Sequence, residues 1–301
     1  MTDDSNLVGG PGAERFAHSG HAQKWLFRSR TELYEAYNAA NRVVGLPLSP
    51  EETEALAATW SKRAADLAAK LKLSIPVQAT AALFALRFYT KVAFTEVKPP
   101  ALQGATVLLA AKTQEGYKFL QMMDLIVKLV QETKVKNEEI LAAEARLMQT
   151  MEFDLLVFLP IDATNFFTTE FLRSIPVNDT VQVGLSEVER TILSQTFSMT
   201  VSQLYTPAQI ALAVLATSVA KLSSSKVPEL ASQFDSWLSG ILAEKPNSED
   251  IKTAINSAQV AIELSSQAME SLYKTALAKC NKYKHDQKQQ QGVGVSVKKE
   301  P

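Results

Sequence analysis

Residues 105–112 read Ala105-Thr106-Val107-Leu108-Leu109-Ala110-Ala111-Lys112, an apolar helical run that ends on a full positive charge. Ala105, Leu108, Leu109 and Lys112 fall on one face of such a helix. A second stripe, Ile140, Glu144, Leu147, Met148 and Met151, sets a carboxylate among apolar neighbours in the same way. A charge on an apolar face must find a partner or reach water. On neighbouring helices, Lys112 and Glu144 can satisfy each other and still present donors and acceptors outward. That arrangement points to a docking surface in place of a sealed core. Periodicity alone also admits a plainer reading of each. Lys112 can be a side chain reaching water near a helix C-terminus, where the dipole favours a cation, and Glu144 a boundary residue paired with some nearby base.

The chain around these stripes is almost wholly helical in pattern, with little alternation of period two. Several helix starts are explicit. Ser49-Pro50-Glu51-Glu52 places a serine cap, a proline at the first helical position and a glutamate three residues past the cap. Thr206-Pro207-Ala208-Gln209 repeats that grammar, and Ser186-Glu187-Val188-Glu189 reads as another capping box. Asn137 and Ser248 are further cap candidates, and Pro76 and Pro100 open two more helices.

The spacing predicts a first helix over about 31–44. Five helices follow over about 50–71, 76–92, 100–115, 119–131 and 138–151. A break falls at Pro160. A second five span about 163–174, 187–204, 207–222, 228–242 and 249–266, and a last helix runs over about 269–284. The third helix of each set opens with proline, at Pro100 and Pro207, 107 residues apart. The fifth helices open near Asn137 and Ser248, 111 apart. This is a duplicated helical architecture read from spacing, in which each unit buries a central helix; the Ala-rich run 208–220 suits that place.

The chain has 301 residues, 46% of them hydrophobic, enough for two ordinary domains. The formal charge of -1 provides no global basic field for nucleic acid. One cysteine, Cys280, excludes an intrachain disulfide framework and fits a reducing compartment. No apolar run reaches the roughly 20 residues that span a bilayer. Residues 1–12 lack a secretory pattern, so a soluble intracellular protein is expected. Residues 1–22 and 285–301 read as disordered tails.

Catalysis has little support. His18, His21 and His285 lie in or beside the expected tails, where none is held rigidly beside a nucleophile or metal. Gly9-Gly10-Pro11-Gly12 follows no strand and precedes no Lys-Ser/Thr pair, so it reads as a flexible linker. Cys280 reads as a small, partly buried residue. Lys282, Lys284, Lys288, Lys298 and Lys299 give the C-terminal tail positive character; it reads as a solvated segment or as one for nuclear targeting or an acidic partner. No cofactor, metal or enzymatic activity is expected.

Five stretches carry a family resemblance. Ala110-Ala111-Lys112-Thr113-Gln114-Glu115 resembles the third-helix motif of the cyclin box. Glu144, nine residues before Phe153 in Met151-Glu152-Phe153-Asp154-Leu155, matches the fifth helix. Ile75-Pro76 through Arg87-Phe88-Tyr89 is similar to the second helix. Leu204-Tyr205-Thr206-Pro207-Ala208-Gln209-Ile210-Ala211-Leu212-Ala213 resembles the third helix of a second box. Lys24-Trp25-Leu26-Phe27, with the helix reaching Ala40-Asn41-Arg42, is similar to the extra N-terminal helix of the cyclin H group. The resemblance spans about 25–284 and is vague between 162 and 203. The first-helix patch by which cell-cycle cyclins recruit Arg-x-Leu motifs is absent; Thr59-Trp60-Ser61-Lys62-Arg63-Ala64-Ala65 stands there instead.

The resemblance implies an all-α fold of two tandem five-helix cyclin boxes, 49–160 and 161–267, flanked by an N-terminal helix within 23–48 and a C-terminal helix over 268–284. It implies a non-enzymatic, nuclear regulatory subunit of the cyclin H kind. Such a subunit binds and activates a cyclin-dependent kinase. In that family the kinase activates other cyclin-dependent kinases and phosphorylates the RNA polymerase II C-terminal repeats within TFIIH, with a RING-finger assembly factor as third member. Lys112, Glu144, Leu109, Met148 and Phe153 are then the kinase-binding residues, with no direct nucleic-acid or membrane contact. A cyclin C-like Mediator subunit is the near alternative, and a TFIIB-like DNA-binding factor the farther one.

Overall fold

The computed structural model of the chain describes residues 15–114, 119–176, 179–225, 227–243, 245, 247–263 and 267–295. These form an all-α structure. A short helix α1 (Gly20–Lys24) precedes α2 (Arg30–Val43). A first set of five follows: α3 (Pro50–Lys70), α4 (Ile75–Tyr89), α5 (Pro99–Gln114), α6 (Phe119–Thr133) and α7 (Asn137–Thr150). The second set is α8 (Ile161–Ser174), α9 (Asp179–Thr196), α10 (Pro207–Ser225), α11 (Glu229–Leu242) and α12 (Ser248–Glu263). A 3-10 turn at Thr200–Gln203 lies between α9 and α10, and α13 (Gln267–Val295) closes the chain. None of the described helices is long and apolar enough to cross a membrane.

Each set wraps a central helix. α5 touches α3, α4, α6 and α7, and α10 touches α8, α9, α11 and α12. Their sequences explain the placement. Residues Gly104–Ala111 of α5 and Gln209–Leu215 of α10 are buried on every side, and small residues let neighbours come close. A Cβ at Gly104 would meet the Ile140 side chain of α7 at 3.2 Å, so glycine there sets the approach of α5 to α7. The capping boxes at Ser49 and Thr206 form as written. Glu52 N–H donates to Ser49 Oγ at 3.2 Å and Ser49 N–H to Glu52 Oε2 at 2.8 Å. Thr206 N–H donates to Gln209 Oε1 at 2.9 Å, and Gln209 N–H to Thr206 Oγ1 at 3.3 Å.

Two cores result. The first joins the α3–α7 interior to Trp25, Leu33 and Tyr37 on one side and Tyr273, Ala276 and Cys280 of α13 on the other. The second fills α8–α12 and takes in Ala79 and Ala82 of α4, so the two sets share a helix wall of alanines. α2 and α13 both pack on α3, where Lys279 of α13 bonds Glu52 at 2.8 Å.

Four expectations need correction. Residues 15–22 are not a disordered end: 15–17 and 20–22 are helical, and His21 is buried. Their anchors, Phe16, His21 and Trp25, have no helical period; tertiary contacts order them together with the Ser19 cap, whose Oγ accepts from Ala22 N–H at 3.2 Å. The expected tail from 285 continues α13 to Val295. Ser186 caps nothing: α9 begins seven residues earlier, at Asp179, and Ser186 Oγ donates inside the helix to Gln182 O at 2.9 Å. Glu189, read as its capping glutamate, is buried and accepts from Thr168 Oγ1 of α8; burial raises its carboxyl pKa despite that bond. The helix expected to reach 204 stops at Thr196 and resumes as the 3-10 turn. Gly9–Gly12, Glu115, Lys298 and Lys299 lie outside the described residues.

Candidate functional site

α5 runs buried until Ala111 and surfaces at Lys112, in its last turn. There the helix dipole favours a cation. α7 packs beside it and turns Glu144 inward, in register with Ile140 and Leu147. Lys112 Nζ donates to Glu144 Oε1 at 2.7 Å and to Oε2 at 2.9 Å. The carboxylate is 6% exposed and the lysine 40%, so the pair faces outward through its ammonium. Both carboxylate oxygens are engaged, so Glu144 holds the lysine in place and Lys112 carries the outward reach. Removing the lysine would leave a nearly buried carboxylate without its cation, the costly half of a broken pair.

The apolar surroundings differ from the expectation in one member. Leu109 is 2% exposed and belongs to the first core; it supports the surface from beneath and is no part of it. Met148 is half-buried and Phe153 is 69% exposed. Two further apolar residues join them: Leu141, three residues before Glu144 and seven before Met148 on α7, and Leu156 beyond the helix end, both exposed. The signal for Leu141 was its seven-residue step to Met148, which defines a stripe offset from the buried one.

Phe153 is displayed by an unusual turn. Glu152 and Phe153 both take left-handed backbone conformations, with φ of 54° and 59°. Such conformations cost non-glycine residues about 1–2 kcal/mol each. Hydrogen bonds offset that cost: Phe153 N–H donates to Met148 O at 3.0 Å and Asp154 N–H to Met151 O at 2.9 Å. The N-terminal segment grips the same turn. Lys24 bonds Glu152 at 2.7 Å, Trp25 Nε1 donates to Asp154 Oδ2 at 3.2 Å, and Phe158 N–H donates to His21 Nδ1 at 2.9 Å. A Cβ at Gly20 would fall 1.6 Å from Asp154 Oδ2, so only glycine admits that carboxylate.

Beneath the turn lies Arg87, fully buried. It donates to Leu156 O at 3.3 Å and stands 5.3 Å from the Trp25 ring. Burial lowers its pKa to about 9 against the attraction of Asp154. His21 is held well below 6.5 by burial and by the Arg87 charge, so it serves here as a neutral acceptor. No helical period marks His21 as fixed. Cys280 is buried, and burial raises its thiol pKa to about 11, which makes it a packing residue.

Comparison with known proteins follows the same lines. No family model matches the chain. Cyclin-C1-2 of Arabidopsis thaliana is 26% identical over 171 residues, 56% of this chain and 65% of that protein. Cyclin mcs2 of Schizosaccharomyces pombe is 23% identical over 247 residues, 72% and 75% of the two. Cyclin CCL1 of Saccharomyces cerevisiae is 28% identical over 130 residues, 43% and 32%. The matches thus span from about a third to three-quarters of the relatives' lengths. Among solved structures, a chain of the Chaetomium thermophilum CAK complex bound to ATP-γ-S superposes with TM-score 0.74 at 18% identity, covering 97% of this chain and 98% of that one. A chain of the yeast TFIIK (Kin28/Ccl1/Tfb3) complex superposes with TM-score 0.65 at 20% identity, covering 82% and 100%. The helical arrangement is that of the tandem cyclin box. The chain is similar to cyclins in sequence and shares their fold, with its likeness running to cyclin chains of the CAK and TFIIK complexes.

Proposed function

We propose that this chain is the regulatory subunit of a cyclin-dependent kinase of the CDK-activating and TFIIH type, and is not itself a catalyst. The observation that carries the reading is the outward-facing Lys112–Glu144 pair, with Leu141 and Met148 on the helix of Glu144 and the exposed Phe153 just past its end. Likeness to chains of the CAK and TFIIK complexes supports it. The five-helix unit within 49–160 is the kinase-binding box and 161–267 the second box.

A protein kinase works only when the glutamate of its αC helix pairs with the lysine that holds ATP phosphates. A protein that binds the inward position of αC shifts the population towards it. Here the apolar border receives one face of that helix, and Lys112 donates to main-chain carbonyls at its end. An interface of this kind buries about 1,600 Å² or more. A RING-finger assembly factor as third subunit, and a nuclear location, belong to the same reading.

Cyclin-C1-2 among the relatives gives a second reading, a cyclin C-like subunit of Mediator. Co-purification from the native source separates the two. Recovery of a kinase with TFIIH subunits supports the first and recovery with Mediator the second; recovery of no kinase refutes both.

A further inference from the structure

Away from the pair, two open grooves of about 1040 Å³ and 480 Å³ lie side by side between the boxes. They share Arg30 and Ala261 and so form one trough along α12, from the start of α2 to the wall made by α3 and α13. None of the residues assigned to kinase binding lines it.

The trough carries more basic than acidic side chains in a chain of net charge -1, with Lys62 paired to Asp66 at 2.8 Å on its rim. Arg28, Arg30, Lys62, Arg63, Lys221 and Lys274 line it, against two carboxylates, Glu54 and Glu270. Those carboxylates are committed. Glu54 accepts from Tyr34 and Thr200 and lies 3.5 Å from Arg30, and Glu270 pairs with Lys274 at 2.8 Å. Arg63 is exposed, its guanidinium 5.2 Å from the Tyr273 ring centroid, which positions a cation on the groove wall. The narrower end carries Arg28 and Arg30 opposite Asn256 and Ser257, which offer amide and hydroxyl groups, with Val260 53% exposed beside them. Cations along the trough, with side-chain amide and hydroxyl groups able to bond a main chain and an apolar contact at the narrower end, fit an extended acidic polypeptide.

We propose that the inter-box trough binds an extended Asp/Glu-rich segment of a partner protein, with its carboxylates at the Lys62–Arg63–Lys274 end. This surface is separate from the kinase dock, so each proposal can fail alone.

The test uses the full chain and a fluorescein-labelled Asp/Glu-rich peptide, with an Asn/Gln counterpart of equal length, followed by fluorescence anisotropy at low and high salt. The acidic peptide should bind saturably and weaken with salt, while the Asn/Gln peptide should not bind. The exposed double reversal Lys62→Glu/Lys274→Glu should weaken binding by about tenfold or more with its helical circular dichroism unchanged. Arg28→Glu should weaken it less. Lys112→Ala should leave it intact. Equal binding of the neutral peptide, no saturable binding at low salt, an unaffected double reversal or displacement by a single-stranded oligonucleotide would each overturn the proposal.

Discussion

The two boxes share an architecture and differ where it matters. Counted from the starts of α7 and α12, Ile140, Glu144, Leu147 and Met151 correspond to Ile251, Ile255, Ala258 and Ile262, and every one of these is buried. Only one of these pairs differs in polarity: Glu144 in the first box, Ile255 in the second. Counted from Pro99 and Pro207, the position of Lys112 falls on Ala220. The second box therefore puts apolar side chains, a buried Ile255 and an exposed Ala220, where the first keeps an ion pair. An ion pair at such a site is seldom the most stable choice, since packed apolar residues of similar volume do as well or better. Its presence in only one box supports the proposal that this box is the one that docks.

The largest effect that sharpens this contrast comes from the N-terminal segment, which grips the first box at Glu152 and Asp154 and also reaches Gln203, to whose carbonyl Phe27 N–H donates at 2.8 Å. Deleting residues 1–45 removes the buried Trp25, Leu33 and Tyr37, where large-to-small changes cost about 2–5 kcal/mol each. Thermal unfolding should shift down by many degrees and kinase activation should fall; full activity from the truncated chain would detach the segment from the dock.

Next comes Ile255→Ala. It should lower stability by about 2–5 kcal/mol in denaturant titration while leaving kinase affinity of the folded chain unchanged. A matching loss of affinity would mean that the second box also docks.

Smaller again is Trp25→Phe, which keeps most of the ring volume but loses the bond to Asp154 Oδ2. A neutral–charged hydrogen bond of this kind contributes about 1.5–3 kcal/mol. Kinase affinity should drop modestly as the Glu152–Phe153 turn loosens, and an unchanged affinity would show that the turn holds itself.

The smallest effect is titration of His21. Its folded pKa lies below the ordinary 6.5. The unfolded chain takes up that proton first, so the stabilising contribution is complete above about 6.5 and is lost as pH falls towards the folded value. A His21→Gln variant should flatten this part of the stability-against-pH curve, and an identical curve would place the acid sensitivity elsewhere.

Periodicity and caps in the sequence marked most of the helices and the charged pair, because Ser49, Thr206, Lys112 and Glu144 act locally or at helical spacing. The parts it hid are those fixed by distant contacts. His21 and Trp25 hold a loop more than a hundred residues away, and Leu109 sits in the core through packing that no stripe reveals. Ser186 misled because a serine three residues before a glutamate also occurs inside a helix, where its hydroxyl turns back to the carbonyl of Gln182.

Binding of a cyclin-dependent kinase to the full chain and to Lys112→Ala, followed by calorimetry with circular dichroism as the folding control, tests the account most directly. The account predicts an affinity loss of about 2–5 kcal/mol, roughly 30-fold or more, with helical content intact. Equal affinity for the two chains would contradict it.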